Sequence, residues 1–359
     1  MKPFFIIFCF QLFFTSLFSQ DKLPLKAFFN ADSTLVGYKD TSGEIVIPAK
    51  LNADLGLPET FEDIISVLEY QNDKFTSYFL TRTGKVVAVD SLYFFDNTPD
   101  CENEGFIRFH SKETDKMGLL NAQGEIQIPA EYSYISQVKN GMISAWKDAT
   151  KKRERPNEEH WFWVGGQQLL IDTNNQVLIE DFPLDSNLDF YSVRVDDNLV
   201  NDKSREYFKS NTGRTFSFIN FDKQFELILE QQLFIPLSSE GLRNICADSI
   251  YFYVDRYKQG KLQVNEFLEN YFGQVKELVE NRVSDSSDFF VSLSAFGLDS
   301  YIYNSPSFAK YFNNCGFPRE WKYPVMGLYI TQTVEEERSQ SVLEFLKTDD
   351  GYKIINVRF

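Results

Sequence analysis

The segment VGYKDTSGEIVIPAK at residues 36–50 recurs as MGLLNAQGEIQIPAE at residues 117–131. Seven of the fifteen positions are identical in register, and they include the string Gly-Glu-Ile-x-Ile-Pro-Ala. Self-similarity at this level indicates an internal repeat, in which each copy builds one equivalent structural unit. The first two-thirds of the chain is therefore predicted to be a repeat array.

Weaker copies lie at residues 78–87, 170–179 and 207–216. In each copy, a turn residue separates two apolar runs. The spacings between turn residues are 41, 40, 51 and 38 positions, and these residues are Gly43, Gly84, Gly124, Asn175 and Gly213. We place the extra residues of the long spacing in the charged loop 151–159, which we interpret as a solvated insertion rather than a loop that docks a partner.

Each copy has the pattern of a β-hairpin, because glycine or asparagine supplies the positive φ that a tight turn needs. Pro48 and Pro129 end the second strand of the two strongest copies, since proline has no N–H to donate to a continuing ladder. The sequence therefore predicts about five hairpin-based units in an all-β array, either propeller-like or an open stack.

The two strongest copies resemble the bacterial WG β-repeat. The resemblance rests on Gly-Tyr-x-Asp-x-x-Gly-x-x-Val-Ile-Pro from Gly37 and on Gly-x-x-x-x-x-Gly-x-Ile-x-Ile-Pro-x-x-Tyr from Gly118 to Tyr132. It covers about residues 30–220. The tryptophan that names the repeat is replaced by Val36 and Met117, and Leu51 stands where the second copy has Tyr132. The resemblance implies a β-rich array used as a scaffold or binding surface, and it implies no catalytic activity.

The residues after about Leu233 lose this period and are predicted to form an α+β domain with an antiparallel sheet. Apolar residues recur at threes and fours from Val264 to Val279, which predicts a helix, and an earlier helix is expected from near Gly241 to Tyr257. Four strands are predicted to follow, at Phe289–Phe296, Val325–Val334, Val342–Thr348 and Tyr352–Phe359. In element order this domain resembles an NTF2-like cone. We divide the chain into residues 1–20, 21–232 and 233–359.

Residues 1–20 have the pattern of a signal peptide, since Lys2 precedes an uncharged, phenylalanine-rich stretch that ends at Ser19-Gln20. An uncleaved anchor is the alternative. The apolar stretch is shorter than the ~20 residues that span a bilayer. We expect a mature chain that begins near Asp21, has no further transmembrane span, and is exported to the periplasm, the outer surface or the medium.

The composition excludes a generic nucleic-acid binder. The chain has 36 basic and 52 acidic side chains, a formal net charge of -16, whereas binding to phosphates requires a basic face. Cys101, Cys246 and Cys315 remain after signal removal. Two states are left open for them: a Cys246–Cys315 disulfide, or three buried thiols, which we favour.

The sequence has no catalytic signature, and we assign no catalytic or metal-binding residues, no cofactor and no identified binding residues. Its two histidines, His110 and His160, lie in the repeat region. His160 follows Glu158-Glu159, but adjacent residues in a charged loop seldom converge on one metal ion. Asp196-Asp197 and Asp349-Asp350 are interpreted as turns.

Trp146 and the Trp161-Phe162-Trp163 string leave two uses open, packing between repeats or stacking on sugar rings, and packing is favoured. The function predicted from these features is an exported, non-enzymatic interaction or scaffold protein. Its partner would be a protein or a cell-envelope glycan, bound through the β-repeat surface. The alternative is a small-molecule or glycan-binding protein, hydrolytic in one version, with its pocket in the C-terminal α+β domain.

Overall fold

The computed structural model describes residues 23–53, 56–71, 74–155, 161–184, 187–196, 201–284, 287–294, 297–334 and 337–359. The predicted signal peptide and His160 with its neighbouring glutamates lie outside these residues. The described chain is mostly β, with many small antiparallel sheets and few helices. None of its helices combines the length and the hydrophobicity needed to span a bilayer.

Five small sheets and two ribbons make up the repeat region. The first sheet contains β1 (Leu25–Phe29), β2 (Leu35–Lys39), β3 (Ile45–Asn52) and β4 (Thr60–Phe61). The second sheet contains β5 (Ile64–Gln71), β6 (Lys74–Thr81) and β7 (Val86–Val87). The first ribbon consists of β8 (Phe94–Phe95) and β9 (Thr98–Pro99). The third sheet contains β10 (Phe106–Ser111), β11 (Lys116–Asn121) and β12 (Ile126–Tyr132).

The fourth sheet is interrupted in sequence by the second ribbon. The fourth sheet consists of β13 (Tyr134–Ile135), β14 (Met142–Lys147), β17 (Gln167–Asp172) and β18 (Val177–Glu180). The second ribbon lies between β14 and β17 in sequence and consists of β15 (Thr150–Lys152) and β16 (Phe162–Val164). The fifth sheet contains β19 (Leu188–Val195), β20 (Arg205–Lys209) and β21 (Thr215–Asn220). The ribbon flanks the predicted insertion 151–159: Lys151 and Lys152 lie in β15, and residues 156–159 lie outside the described residues.

The predicted turn conformation is confirmed at all four glycines, whose φ angles are 91°, 80°, 70° and 83° at Gly43, Gly84, Gly124 and Gly213. Asn175 has a φ of 64°. In three copies, an Asp or Asn three residues earlier fixes the turn, because its side-chain oxygen accepts N–H bonds from residues two and four positions later. These residues are Asp40, Asn121 and Asp172. The turn is thus encoded within five residues.

The glycine of the WG-like motif has a different role from the turn glycines. Tyr38 pairs with Ile47 and Val36 with Leu51, so two extra residues bulge from β3 beside Gly37. A Cβ on Gly37 would lie 2.5 Å from the Ile47 carbonyl oxygen. Gly118 faces the same bulge in the second copy, with a Cβ position 2.6 Å from the carbonyl oxygen of Ile128. Glycine is required here because the proline-containing bulge crosses directly over it.

Four hydrophobic clusters lie between consecutive sheets of the repeat region. Neighbouring residues of one strand point to opposite clusters, as expected for strands whose two faces are both buried. In β11, for example, Leu119 packs toward the fourth sheet and Leu120 toward the second. In β6, Leu80 packs toward the first sheet and Phe79 toward the third. Each inner sheet therefore contributes to two cores.

The C-terminal region has a single mixed sheet, with three α-helices on one face and a 3₁₀ helix on the other. Its elements are α1 (Phe221–Gln232), α2 (Ser239–Asn244), β22 (Cys246–Asp255), β23 (Lys258–Gln263), α3 (Val264–Glu280), β24 (Ser287–Leu293), a 3₁₀ helix (Pro306–Tyr311), β25 (Val325–Val334), β26 (Glu337–Thr348) and β27 (Gly351–Arg358). The strand order is β23-β22-β27-β26-β25-β24. Only the β22–β27 pair is parallel among the described pairs of this sheet.

Helix α3 carries the apolar stripe that the sequence predicts, and Phe267, Tyr271 and Val275 are among its buried residues. The helix expected from near Gly241 to Tyr257 is wrong: α2 ends at Asn244, and β22 occupies the rest. Alternating burial in β22 explains the difference, because Ile250 and Phe252 face the helices. Aromatic and β-branched residues at a period of two favour a strand over a helix.

The core of the C-terminal region extends back to Phe221. Phe225 and Leu229 of α1 are buried in the same cluster as α3 and the sheet, and the Phe225 ring packs 5.0 Å from Phe345. The domain boundary at 232/233 stays a prediction. In the structure, α1 packs against the C-terminal sheet and helices rather than standing apart from them.

Both predicted states of the cysteines are wrong. Cys101 and Cys315 form a disulfide with a Cα–Cα distance of 6.2 Å, and Cys246 is a buried free thiol. Cys246 lies in the helix-facing core, whereas Cys315 lies in a loop that packs against the repeat region. Two cysteines in the same region of the sequence do not necessarily have their Cβ atoms at bridging distance. The packing of the two regions decides which cysteines can form a disulfide.

Candidate interaction surfaces

Four exposed apolar residues occupy equivalent positions in the repeats, two residues after the turn glycine or asparagine. We call Ile45, Val86, Ile126 and Val177 the edge row, and their exposed fractions are 57%, 48%, 66% and 40%. Each residue begins the outermost strand of its sheet, β3, β7, β12 or β18. An exposed β-branched residue on an edge strand is a site where another chain can add or pack.

The turns beside the edge row contact one another from the second sheet onward. The Lys85 ammonium donates to the Gln123 carbonyl at 3.5 Å, and the Gln127 amide donates to the Thr173 carbonyl at 2.9 Å. The Tyr132 hydroxyl donates to Asn175 Oδ1 at 2.6 Å. These contacts hold the second, third and fourth turns side by side, which places Val86, Ile126 and Val177 on the same side of the array.

The fifth copy ends the row. Thr215, the residue equivalent to Ile126, is buried, because β21 is the central strand of its sheet and β19 covers it. The side chain of Asn211 in this last turn still donates to Glu180 at 3.1 Å. The row therefore has four exposed members and stops where the strand order changes.

A second site lies where the repeat region meets the C-terminal region. The Cys101–Cys315 disulfide joins the two, and the Lys347 ammonium contacts the Asp189 carboxylate at 2.7 Å. Glu102, adjacent to the disulfide, accepts a hydrogen bond from the side chain of Asn314 at 3.1 Å. The junction thus combines a covalent link with hydrogen-bonded and charged contacts.

Glu102 is only 5% exposed, and its carboxylate accepts backbone N–H bonds from Glu62, Asp63 and Ile64. Burial raises the pKa of Glu102 to about 7, although the N–H donors of Ile64 and Asp63 act in the opposite direction. A carboxyl with this pKa changes charge near neutrality, so the junction has a pH-sensitive group in its interior.

A cleft of 620 Å³ opens beside this junction. Its walls come from residues 56–66 between and within the first two sheets, from residues 98–102, and from residues 309–319 at the end of the 3₁₀ helix and in the following loop. The lining includes apolar and polar side chains, among them Leu57, Pro58, Ile65, Phe312, Phe317, Asp100, Glu102, Asn314 and Arg319. Clefts of this size with apolar walls and a few polar groups are typical of small-molecule sites.

Three of the four tryptophans gather on the β15–β16 ribbon and the neighbouring β14. The Trp161 and Trp163 rings are 4.9 Å apart at 77°, and Trp146 lies 6.5 Å from Trp163. Trp161 is 44% exposed. The Lys151 ammonium lies over both rings of the ribbon, 4.5 Å from Trp161 and 5.2 Å from Trp163.

His110 lies beside this aromatic group, with Nε2 2.9 Å from Asp115 Oδ1, and Asp115 also accepts from Lys151 at 2.8 Å. The Lys151 and His110 contacts lower the pKa of Asp115. His110 is in strand β10. Among the described residues, no group of three or more His, Cys, Asp or Glu side chains is arranged to hold a metal ion.

The acidic pairs that the sequence places in turns make hydrogen bonds and ion pairs within the chain, as far as the structure describes them. Asp349 follows β26, and its carboxylate accepts from Lys310 at 2.6 Å and from Tyr323 at 3.0 Å, which lowers its pKa. Asp350 lies in the same turn. The Asp196 N–H donates to the Thr215 carbonyl, and Asp197 lies outside the described residues.

The interior of the C-terminal region is filled by side chains from its helices and its sheet. Buried residues from α1, α3 and the strands interlock in one cluster, including Phe267, Tyr271, Leu343 and Val357. The cleft found beside Glu102 lies outside this cluster. The apolar stripe of α3 is accordingly used for packing.

Sequence reasoning missed the edge row, Glu102 and the disulfide. The edge row could have been found by aligning the copies, because Ile45, Val86, Ile126 and Val177 occupy the same position relative to the turn. Glu102 has no such signal, because its neighbours in sequence do not indicate that three backbone N–H groups between β4 and the start of β5 will surround its carboxylate.

The fold defines this chain as a β-repeat protein whose array is linked by a disulfide to a separately packed sheet with helices. Residues 117–146 match the family model described as WG containing repeat, so the chain carries a repeat of this family. No curated protein matches the chain. A solved structure named "Rd1NTF2_05 with long sheet" is similar at 10% identity and a TM-score of 0.23, covering 39% of this chain and 91% of its own.

Proposed function

We propose that this protein is an exported, non-enzymatic interaction protein that binds a partner protein through the edge row of its β-repeats. The observation that carries the proposal is the recurrence of an exposed β-branched residue at one position of four repeats. A single exposed apolar residue is ordinary, whereas its recurrence on the edge strands of four consecutive sheets offers a partner several apolar contacts.

We infer that the array is an open stack rather than a ring. Support comes from the hydrophobic clusters of the described residues, each of which joins sheets that follow one another in the chain. None of these clusters joins the first sheet to the fifth. In an open stack each unit contacts only its neighbours, and the edge row becomes an extended binding surface. The C-terminal α+β domain would serve as a second binding module.

The disulfide supports export, because disulfides persist in oxidising compartments such as the periplasm and the medium. The proposal predicts a mature N-terminus near Asp21 in a non-cytoplasmic fraction. N-terminal sequencing of the fractionated protein tests it. Recovery of Met1 in the cytosolic fraction would contradict export without bearing on the edge row.

The edge row is tested by replacing all four of its residues with lysine in the full chain. The control places four lysines at other apolar residues that are at least as exposed on average, Phe95, Ile235, Tyr257 and Val283. Proteins retained from an envelope extract are quantified for both variants and the parent. We expect one partner retained by the parent and the control to be lost from the row variant. Equal retention by the two variants would contradict the proposal.

Small-molecule binding is the second candidate function, and the 620 Å³ cleft beside Glu102 favours it. The cleft lies between the two regions, whereas the sequence suggested a pocket within the C-terminal domain. An uncharged fluorescent probe of apolar clefts such as N-phenyl-1-naphthylamine tests this candidate. Binding by the parent and its loss in Leu57→Trp, which narrows the cleft, would support it. Equal fluorescence in both would contradict it.

A further inference from the structure

The aromatic group on the β15–β16 ribbon is not used by the hydrophobic cores. Neither Trp146, Trp161 nor Trp163 belongs to any of the six clusters of the described residues. The ribbon also forms a sheet of its own, outside the repeat sheets. The three indoles therefore lie outside the cores that hold the sheets together, and the exposed Trp161 ring requires another explanation.

The contacts of Lys151 restrict the chemistry that this surface can bind. The ammonium lies over the Trp161 and Trp163 rings and pairs with both oxygens of Asp115, at 3.0 and 2.8 Å. The cation-binding position over the rings is therefore filled by the chain's own lysine. The Lys151–Asp115 pair carries no net charge, so the surface favours neither an anionic nor a cationic ligand.

The Lys151–Asp115 pair beside the indoles retains hydrogen-bonding capacity. A carboxylate has about four acceptor sites, and Asp115, with a side chain 56% exposed, accepts from only His110 and Lys151 in the described contacts. An ammonium has three donors, so Lys151 also retains capacity after bonding to Asp115. A donor and an acceptor next to each other match two adjacent hydroxyl groups, each of which can donate and accept.

We propose that the Trp161 surface of the ribbon binds a neutral glycan built of gluco-configured pyranose rings. Such a ring has flat C–H faces that stack on an indole, and its equatorial hydroxyls point outward to the Asp115–Lys151 pair. The site is separate from the edge row, since Asp115 and the Gly124 turn lie at opposite ends of β11. It extends the function beyond binding a protein partner.

The ribbon supplies its own matched control. Phe162 is 46% exposed, close to the 44% of Trp161, but it pairs with Lys152, while Trp163 pairs with Lys151. Neighbouring residues of a strand point to opposite faces, so Phe162 lies on the face away from Lys151. Trp161→Ala and Phe162→Ala therefore remove similar exposed aromatic area from the two faces.

The test is titration of the full-length protein with cellohexaose and chitohexaose, followed by tryptophan fluorescence and calorimetry. We expect at least one to bind with a Kd near or below about 1 mM. Trp161→Ala should weaken binding about tenfold or more, and Trp161→Tyr should restore part of it. Phe162→Ala should bind as the parent does. Urea unfolding midpoints equal to the parent's show that each variant is folded.

Three outcomes would overturn the proposal. In the first, neither hexasaccharide binds the parent at several times that concentration. In the second, Trp161→Ala and Phe162→Ala weaken binding equally, which would place the glycan elsewhere. In the third, choline binds at the indoles and the hexasaccharides do not, which would mean that a cation displaces Lys151 and that the rings form a cation site.

Discussion

The repeat region and the C-terminal region bury their apolar residues in different ways. Between the small sheets, each cluster contains six to ten buried residues. In the C-terminal region, the α-helices and one face of the sheet share a cluster of 24, and the other face has a cluster of six. A repeat core depends on its two adjacent sheets, while the large core depends on elements from Phe221 to Val357. Stability is therefore local in the first region and shared across the second.

The two regions also use glycine differently. Gly118 lies under a bulge of β12, where a side chain has no room, while Gly273 lies in α3 with no atom within 4 Å of its Cβ position. Packing requires glycine at position 118. At position 273, glycine lowers the stability of the helix, because it loses more backbone entropy on folding than alanine would. This contrast can be measured directly, as can the independence of the two regions.

The largest expected effect follows from a charge in the C-terminal core. Val275 is fully buried on α3, and Val275→Asp should lower the free energy of unfolding of that region by more than about 5 kcal/mol. Hydrogen exchange should show loss of protection from α1 to β27 with the repeat sheets still protected. Phe272→Asp should act in the same direction but less, since Phe272 is only partly buried. Equal loss of protection in the repeats would contradict separate cores.

The disulfide links the regions, so its removal should sharpen the division between them. The bond closes a separation of 214 residues, for which the chain-entropy relation gives about 5 kcal/mol. Cys315→Ser should lower the thermal midpoint and resolve two calorimetric transitions. Cys246→Ala is the control, since that thiol is unpaired. A single unchanged transition in Cys315→Ser would show that noncovalent contacts alone couple the regions.

The glycine contrast predicts substitutions of opposite sign. Gly118→Ala should destabilise by about 3 to 4 kcal/mol, because its Cβ would lie 2.6 Å from the Ile128 carbonyl oxygen and 2.6 Å from the Phe109 ring. Gly273→Ala should stabilise by about 0.5 to 1 kcal/mol. Denaturant unfolding measures both. Tolerance of alanine at Gly118 would mean that the bulge is not held against this glycine.

The junction should respond to pH with a defined sign. Burial raises the pKa of Glu102 from 4.5 to about 7, so the folded protein binds a proton that the unfolded chain releases. Stability should therefore fall as pH rises from about 4.5 to about 7, by about 2 to 3 kcal/mol in total. Glu102→Gln should flatten this part of the profile of urea unfolding, while Glu44→Gln, at an exposed turn, should not. An identical slope in both variants would assign the pH dependence to other groups.

Much of the repeat region could be predicted from the sequence because its signals are local. The Asp40 turn is closed by hydrogen bonds to residues two and four positions later, and the positive φ of Gly43 follows from the turn type. The α3 stripe is equally local, with its apolar residues one turn apart. By contrast, β22 was predicted as a helix, because a short apolar run is ambiguous until its burial is known.

The sequence by itself determined the repeat, its turn conformations and the helix α3, since each depends on interactions within a few residues. Only the tertiary structure decided that Cys101 pairs with Cys315, that Glu102 is buried among three N–H groups, and that the edge row is exposed. These features depend on which strand lies outermost and on how two regions pack. Contacts between residues far apart in sequence are set by the sum of all packing, and no single segment contains that information.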